Sequence, residues 1–316
     1  MQSPPTFSDI RAAAERIAPY AHRTPVMTSA FFDRALAARV FFKCENFQKV
    51  GAFKFRGACN AVFSLPADAL ARGVATHSSG NHAQALALAA RLRGAKAFIV
   101  MPRNAPEVKR RAVADYGAEI IPCEPTVADR EATAARVAAE TGAALIHPYN
   151  DARIIAGQGT AALELLADAP DLDYLLAPVG GGGLLSGTAI AAAGLSPTTR
   201  VVAAEPSGAD DAYRSLQAGR IIPSVNPQTI ADGLRTSLGE LTFAVIQKHV
   251  PEIVTVSEEG IVTAMRHVWE RMKIVIEPSA AVPVAALLEN RLEVAGKRVG
   301  VILSGGNVDL ANLPFA

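Results

Sequence analysis

The sequence predicts an α/β protein built on an open, twisted, mostly parallel sheet with helices on both faces. Three observations carry that expectation. Short β-rich runs alternate with longer alanine-rich runs of helical period, the pattern of strand–helix–strand units. The 316 residues are enough for about two typical domains, or for one large α/β unit with a smaller lobe grafted onto it. Half of the residues are apolar and 19% are charged, which excludes intrinsic disorder and leaves ample material for a core without disulfides or a structural metal.

Taken in chain order, strands are expected at 39–44 (RVFFKC), 74–77 (VATH), 97–101 (AFIVM), 119–121 (EII), 174–177 (YLLA), 201–204 (VVAA), 253–256 (IVTV) and 299–303 (VGVIL). Most are dominated by β-branched or aromatic side chains, which suit a pleated surface. Between them lie helix candidates at 81–93, 128–141 and 260–272, rich in strong helix formers and small enough on their alanine faces to pack closely. No internal repeat or low-complexity tract interrupts the pattern.

Charge and cysteine content narrow the partners. Against 30 acidic residues stand 31 basic ones, a formal charge of +1, which argues against a polyanion such as nucleic acid and for a small ligand. Cys44, Cys59 and Cys123 are odd in number and form no CxxC pair, so neither a disulfide framework nor a zinc site is indicated, and a reducing cytoplasm is expected. The uncharged stretch 174–199 is long enough to span a bilayer but is broken by Pro178, four glycines and Pro197. The first 25 residues carry acid and proline where an export signal needs a continuous apolar region.

In open α/β sheets ligands bind at the carboxyl ends of strands, where helix N-termini and unpaired amides converge. Four such exits stand out. After Pro178 and Val179 come Gly180, Gly181, Gly182 and Gly183, then Leu184 opens a helical pattern. Without Cβ atoms, several backbone N–H groups can point into one concavity, and the following helix adds its positive end, which makes a phosphate cradle. The alternative is a flexible glycine linker. The run lacks the Lys-Ser/Thr ending of a P-loop and the spacing of a dinucleotide fingerprint. A second exit leads to Lys54, flanked by Phe53 and Phe55, an apolar setting that lowers an ammonium pKa as an amine nucleophile requires; the alternative is a surface lysine lying along aromatics. A reactive lysine plus a phosphate pocket is what a pyridoxal phosphate enzyme needs.

At this point the chain resembles the fold type II pyridoxal phosphate enzymes, within them the serine racemase and serine/threonine dehydratase family, over nearly its whole length. The motifs are His22-Arg23-Thr24-Pro25, Gly51 to Gly57 (GAFKFRG), Ser78-Ser79-Gly80-Asn81-His82, Ala156 to Thr160 (AGQGT), the glycine run, and Ser304-Gly305-Gly306-Asn307. The resemblance implies a large cofactor domain from residues 1–68 and 148–316, with a smaller α/β domain, 69–147, inserted as a mobile substrate unit. It implies a homodimer, a small amino-acid substrate, and no membrane or nucleic-acid partner.

By the same likeness, Lys54 holds the cofactor aldehyde as a Schiff base and takes the Cα proton, Phe53 packs beside the ring, and Gly180 to Gly183 with Leu184 hold the phosphate. Asn81 meets the ring hydroxyl, Ser304 the pyridine nitrogen, and Ser78, Ser79, Gly80, Asn81 and His82 receive the substrate carboxylate. Serine-rich helix capping is the alternative for the Ser78 loop and for the SGGN end. Glu205, the carbonyl of Ala209, and Asp211 match the family's Mg or Ca site, where a pair of solvated acids is the alternative.

The reaction implied is α,β-elimination from an L-β-hydroxy amino acid to a 2-oxo acid and ammonia. Ser79 as a second base gives racemisation as the alternative activity. His147-Pro148-Tyr149-Asn150-Asp151 looks like dehydratases, and residues 296–310 also resemble 3-hydroxyaspartate dehydratases, for which Arg130 is a candidate partner of the second carboxylate. The end at Ala316 leads to an expectation of no C-terminal regulatory domain and no feedback inhibition by isoleucine. A catalytically silent nucleotide-binding protein is the reading from a different class.

Overall fold

The computed structural model describes residues 3–315. Among the described residues ten strands form two sheets. They are β1 (Val26–Met27), β2 (Arg39–Cys44), β3 (Val74–His77), β4 (Ala97–Pro102), β5 (Glu119–Cys123), β6 (Ala144–Leu145), β7 (Tyr174–Pro178), β8 (Arg200–Pro206), β9 (Glu252–Val256) and β10 (Arg298–Leu303). The larger sheet runs β1-β2-β10-β7-β8-β9 and the smaller β5-β4-β3-β6. Every pairing is parallel except β1 with β2. All eight expected strands and all three expected helices form, the helices spanning Asn81–Leu92, Val127–Thr141 and Glu258–Met272. The two-residue strands β1 and β6 were not expected, being too short to leave a periodic signal.

The strands of the larger sheet are buried on both faces. Leu176, Val202, Ala204, Val301 and Leu303 point into one core, covered by the helices Glu258–Met272 and Pro278–Leu288. Their neighbours Leu175, Ala177, Val201, Ala203 and Ile302 point into the opposite core, covered by Phe7–Ile17, Ala152–Asp168 and Gly183–Leu195. Alternate residues therefore divide the two cores, as the two-residue period of a strand requires. The uncharged stretch 174–199 is β7, the glycine turn and its helix; no helix is long and apolar enough to cross a membrane among the described residues.

One helix crossing sets the position of Lys54. Its helix, Lys54–Phe63, lies against Ala152–Asp168, and at the crossing a Cβ on Gly157 would stand 2.6 Å from the Gly57 Cα and from the Arg56 carbonyl oxygen. The backbones touch because neither glycine has a side chain. Gln158 then accepts the Gly57 N–H through Oε1 at 3.1 Å, satisfying one of the first-turn donors that a helix leaves without an internal partner. This gives the AGQGT motif a physical role: it anchors the start of the lysine helix.

Beneath that helix lies a buried ionic cluster. Arg56 donates to Glu45 Oε2 at 2.7 Å and to both oxygens of Glu164 at 2.8 Å, while Lys43 reaches Glu164 at 2.6 Å and the Thr24 carbonyl at 2.7 Å. Lys43, Glu45 and Arg56 are fully buried. Two cations face two anions, so the cluster carries no net charge, and the neighbouring cations hold the Glu164 carboxyl below its ordinary range.

Candidate active site

The exits of β2, β3, β7 and β10 come together, through contacts that were not legible in the sequence, while the acidic exit of β8 does not join them. The segment before Lys54 is zipped to the last strand's exit: Ala52 bridges Gly305, Phe53 N–H donates to the Ser304 carbonyl at 3.0 Å, and Gly306 N–H donates to Gly51 at 2.9 Å. Ser304 is 2% exposed. The chain after it forms no helix, which removes the capping alternative for the SGGN sequence.

Lys54 is half-buried, its ammonium 5.2 Å from the centre of the Phe53 ring. Burial lowers its pKa to about 8 and the negative charge of Glu277 offsets part of that. Phe55 does not share this environment. Successive helical residues point in different directions, and its ring is fully buried in the core beneath the smaller sheet. Lys54 Nζ donates to the Pro148 carbonyl at 3.1 Å.

The next residue links that contact to the glycine run. All four glycines are buried, and each is demanded by a close approach: a Cβ on Gly181 would collide with the Tyr149 ring, one on Gly183 would stand 3.0 Å from Tyr149 Cβ, and one on Gly180 would stand 2.8 Å from Leu234 Cα. Gly182 adopts φ +84°, in the left-handed region. A linker would make none of these contacts. The first helical bond closes from Ser186 N–H to the Gly182 carbonyl, so the amides of Gly183, Leu184 and Leu185 are the free donors at the positive end of the helix Gly183–Leu195. The residues present therefore fit a phosphate close to a lysine of lowered pKa.

On the other side lies the loop after β3. Ser78, Ser79 and Gly80 are half-buried, and the helix Asn81–Leu92 begins with Gly80 at its N-cap and no side-chain cap bond. The serines therefore do not cap it. Asn81 Nδ2 donates to Glu277 Oε1 and Oε2 at 3.0 and 3.1 Å. His82 is 2% exposed with neither ring nitrogen hydrogen-bonded, and burial, reinforced by Lys54 and two further histidines, holds it well below the ordinary imidazole range. Those two are His77 and His147, stacked edge to face with centroids 5.4 Å apart. His147 Nδ1 accepts the N–H groups of Tyr149 at 3.3 Å and Asn150 at 2.9 Å, so its proton sits on Nε2, and burial lowers its pKa to about 4. The histidines are neutral at pH 7.

Arg130, on the helix Val127–Thr141, lies near enough to His77 to lower its pKa, and its Nε is buried without a hydrogen-bond partner. Glu205 and Asp211 sit apart from this cluster. Glu205 belongs to β8 itself rather than to the turn after it, and it is fully buried, accepting the N–H groups of Ala212 at 3.0 Å and Tyr213 at 2.8 Å. Asp211 is 1% exposed and neither carboxylate oxygen is hydrogen-bonded. Burial raises their pKa values to about 9 and about 6. These are not solvated acids. The nearest cation, Arg214, is paired with Asp210 at 2.7 Å, so the two buried carboxylates fit a divalent ion with a backbone carbonyl as third ligand, although no group of three His, Cys, Asp or Glu side chains able to hold a metal ion occurs among the described residues.

Sequence reasoning missed Glu277, assigned no role to Asn307, and read Pro148 and Tyr149 only as part of a family-like stretch. None of these carries a local signal, because each acts through a partner distant in the chain.

Comparison with known proteins agrees with this geometry. Residues 17–305 match the model of the family described as pyridoxal-phosphate dependent enzyme. The chain is 54% identical to the beta-hydroxyaspartate dehydratase of Paracoccus denitrificans (strain Pd 1222), covering 98% of this chain and 99% of that one. It is 52% identical to the serine racemase of Arabidopsis thaliana, covering 96% and 93%. Among solved structures it superimposes on the serine racemase from Dictyostelium discoideum with a TM-score of 0.93 and 49% identity, covering 97% and 99%.

Proposed function

The chain belongs to the family of pyridoxal-phosphate dependent enzymes, and from that premise we propose that it is an ammonia-lyase converting L-β-hydroxy amino acids to 2-oxo acids and ammonia. The observation that carries this reading is the strap Pro148-Tyr149, which brings the Lys54 amine and the glycine cradle together. A silent nucleotide-binding role does not account for a lysine of lowered pKa at that point.

When bound, pyridoxal phosphate would be held by Lys54, the amides from Gly180 to Leu184, Asn81 and Ser304, with Phe53 beside it, and it would supply an electron sink for charge developing at the substrate Cα. The protein supplies the rest. With a pKa of about 8, roughly a tenth of the Lys54 amine is free base at pH 7, so it can take the Cα proton near neutrality. Ser78, Ser79 and the start of the helix Asn81–Leu92 receive the substrate carboxylate, and the neutral histidines add no competing charge. In the balance, the Cα–H and Cβ–O bonds break as a Cα=Cβ double bond forms, a proton joins the departing hydroxyl so that it leaves as water, Cβ takes up a proton as the double bond moves to the Cα–N bond, and water then adds to Cα and displaces the nitrogen as ammonia.

Arg130 supports 3-hydroxyaspartate over serine or threonine, because a buried, unpartnered guanidinium nitrogen suits a second carboxylate. The assay supplies L-serine, L-threonine and both 3-hydroxyaspartate diastereomers and quantifies 2-oxo acid and D-amino acid together. Predominant D-amino acid would overturn the lyase ranking. The second reading, a racemase, rests on Ser79 as a base opposite Lys54. Ser79→Ala is expected to lower formation of the D-enantiomer by roughly 10²–10⁴-fold while elimination from the L-substrate persists; equal loss of both activities would remove Ser79 as a second base.

Glu205, the Ala209 carbonyl and Asp211 are proposed to hold Mg or Ca as a stabilising ion. EDTA is expected to lower the melting temperature, and Asp211→Asn to abolish that sensitivity, since an ion bound only by the folded state stabilises it by mass action. An unchanged melting curve at full metal depletion would dismiss the site. The proposal also takes residues 69–147 as a small mobile domain; a four-stranded sheet contained within them supports the separate domain. A homodimer in the cytoplasm completes the reading; three free, buried cysteines agree with a reducing compartment.

A further inference from the structure

Both polar atoms of the Asn81 side chain bond residues from the far end of the chain. Its Nδ2 faces both oxygens of Glu277, and its Oδ1 accepts from Asn307 Nδ2 at 2.9 Å. Asn307 Nδ2 also donates to the Val50 carbonyl at 2.7 Å, and Asn307 N–H donates to Glu277 Oε2 at 3.1 Å. The Val50 carbonyl only accepts, which fixes the Asn307 amide, and Asn307 Nδ2 then requires an oxygen from Asn81, so neither amide can turn over without placing like against like. The two oxygens of one carboxylate are too close together to be served by the diverging N–H bonds of one amide. One Nδ2–H of Asn81 is therefore shared between them, and the other is left free.

Glu277 is itself fixed. It is 5% exposed, its backbone N–H donates to the Gly305 carbonyl at 3.0 Å, and a Cβ on Gly305 would stand 2.7 Å from its Oε1, so this motif glycine makes room for the carboxylate. The charged groups that act on it are Lys109 and Asp232, and it in turn acts on Lys54. Burial raises its pKa to about 7, and the bonds from Asn81 and Asn307 offset part of that rise.

We infer that Glu277 is a positioning residue: with Asn307 it fixes the amide of Asn81, leaving one Nδ2–H for the cofactor and docking the Ser78–Asn81 loop where the substrate carboxylate binds. The cofactor part rests on the functional reading above; the docking part does not. Removing the carboxylate acts on substrate capture and on loop order before it acts on the proton transfer at Lys54.

The test compares the wild type with Glu277→Gln, Glu277→Asp and Asn307→Ala, the last at an exposed position that tolerates truncation. In the protein before cofactor is added, amide hydrogen exchange at residues 78–83 is expected to rise about tenfold or more in the Gln and Ala variants. Exchange in β10 should stay unchanged. After loading with pyridoxal phosphate, KM for the β-hydroxy amino acid should rise about tenfold with a smaller change in kcat, and Asp should recover part of both effects because it restores an acceptor-only group. Wild-type exchange and KM in the Gln and Ala variants would overturn the inference, as would exchange that rises uniformly over the whole chain. If Glu277→Gln does not fold, Asn307→Ala decides. A wild type that takes up no pyridoxal phosphate would sink the functional reading alone, and the exchange comparison would still stand.

Discussion

Lys54→Ala is expected to yield a folded protein that attaches no pyridoxal phosphate covalently and releases ammonia at least 10²–10⁴-fold more slowly than the wild type. The same amine anchors the cofactor and takes the proton, so one substitution deletes both roles. The fold should survive, because the side chain's one direct hydrogen bond is to the Pro148 carbonyl. Its charged form is already disfavoured by burial, which lowers the pKa from 10.5 to about 8. The sign follows from proton binding. Between about pH 8 and 10.5 the unfolded chain holds a proton that the folded chain has lost, so this lysine's contribution to wild-type stability rises with pH across that window. At pH 7 the alanine variant should therefore melt no earlier than the wild type. Borohydride reduction of the yellow wild type followed by peptide mapping, with melting curves of both proteins, checks each part. Label found elsewhere than Lys54, or wild-type turnover in the variant, would end the assignment.

Arg56→Leu carries the largest expected loss of stability, about 3–5 kcal/mol, because it leaves Glu45 and Glu164 facing each other in the interior with Lys43 alone to balance them. Set against total stabilities of about 5–15 kcal/mol, that is enough to bring the chain near unfolding at room temperature. Arg136→Ala is the control. Its partner Glu140 and Arg136 itself are each more than half exposed, and such pairs contribute roughly 0–1 kcal/mol. Lowering the pH should narrow the gap between Arg56→Leu and the wild type. Glu164 has its pKa depressed below 4.5 in the folded protein, so the stability it contributes is present at neutral pH and fades as acid protonates it. Urea unfolding of the three proteins at neutral and acid pH measures both effects, and equal midpoints for Arg56→Leu and Arg136→Ala would refute the assignment.

The sequence by itself determined the alternation of strands and helices, the expected elements to within two residues of their ends, and the residue types that meet a phosphate and an aldehyde. These depend on local chemistry: periodicity, side-chain branching, and the absence of Cβ atoms from 180 to 183. It also placed Phe53 beside Lys54, but it put Phe55 there too. Adjacency in the chain does not say which way a helix turns its next side chain. Only the tertiary structure decided that the amine rests on Pro148, 94 residues away, that the Tyr149 ring fills the space the glycines leave, and that Asn81 is held by Glu277 and Asn307 across separations of 196 and 226 residues. The physical reason is that a hydrophobic period reports which face of an element is buried and not which other surface buries it. A hydrogen bond between two such surfaces has no counterpart in either segment alone, so the residues that would perform chemistry could be read from the chain, while those that hold them in place appeared only when the two sheets and their helices were assembled.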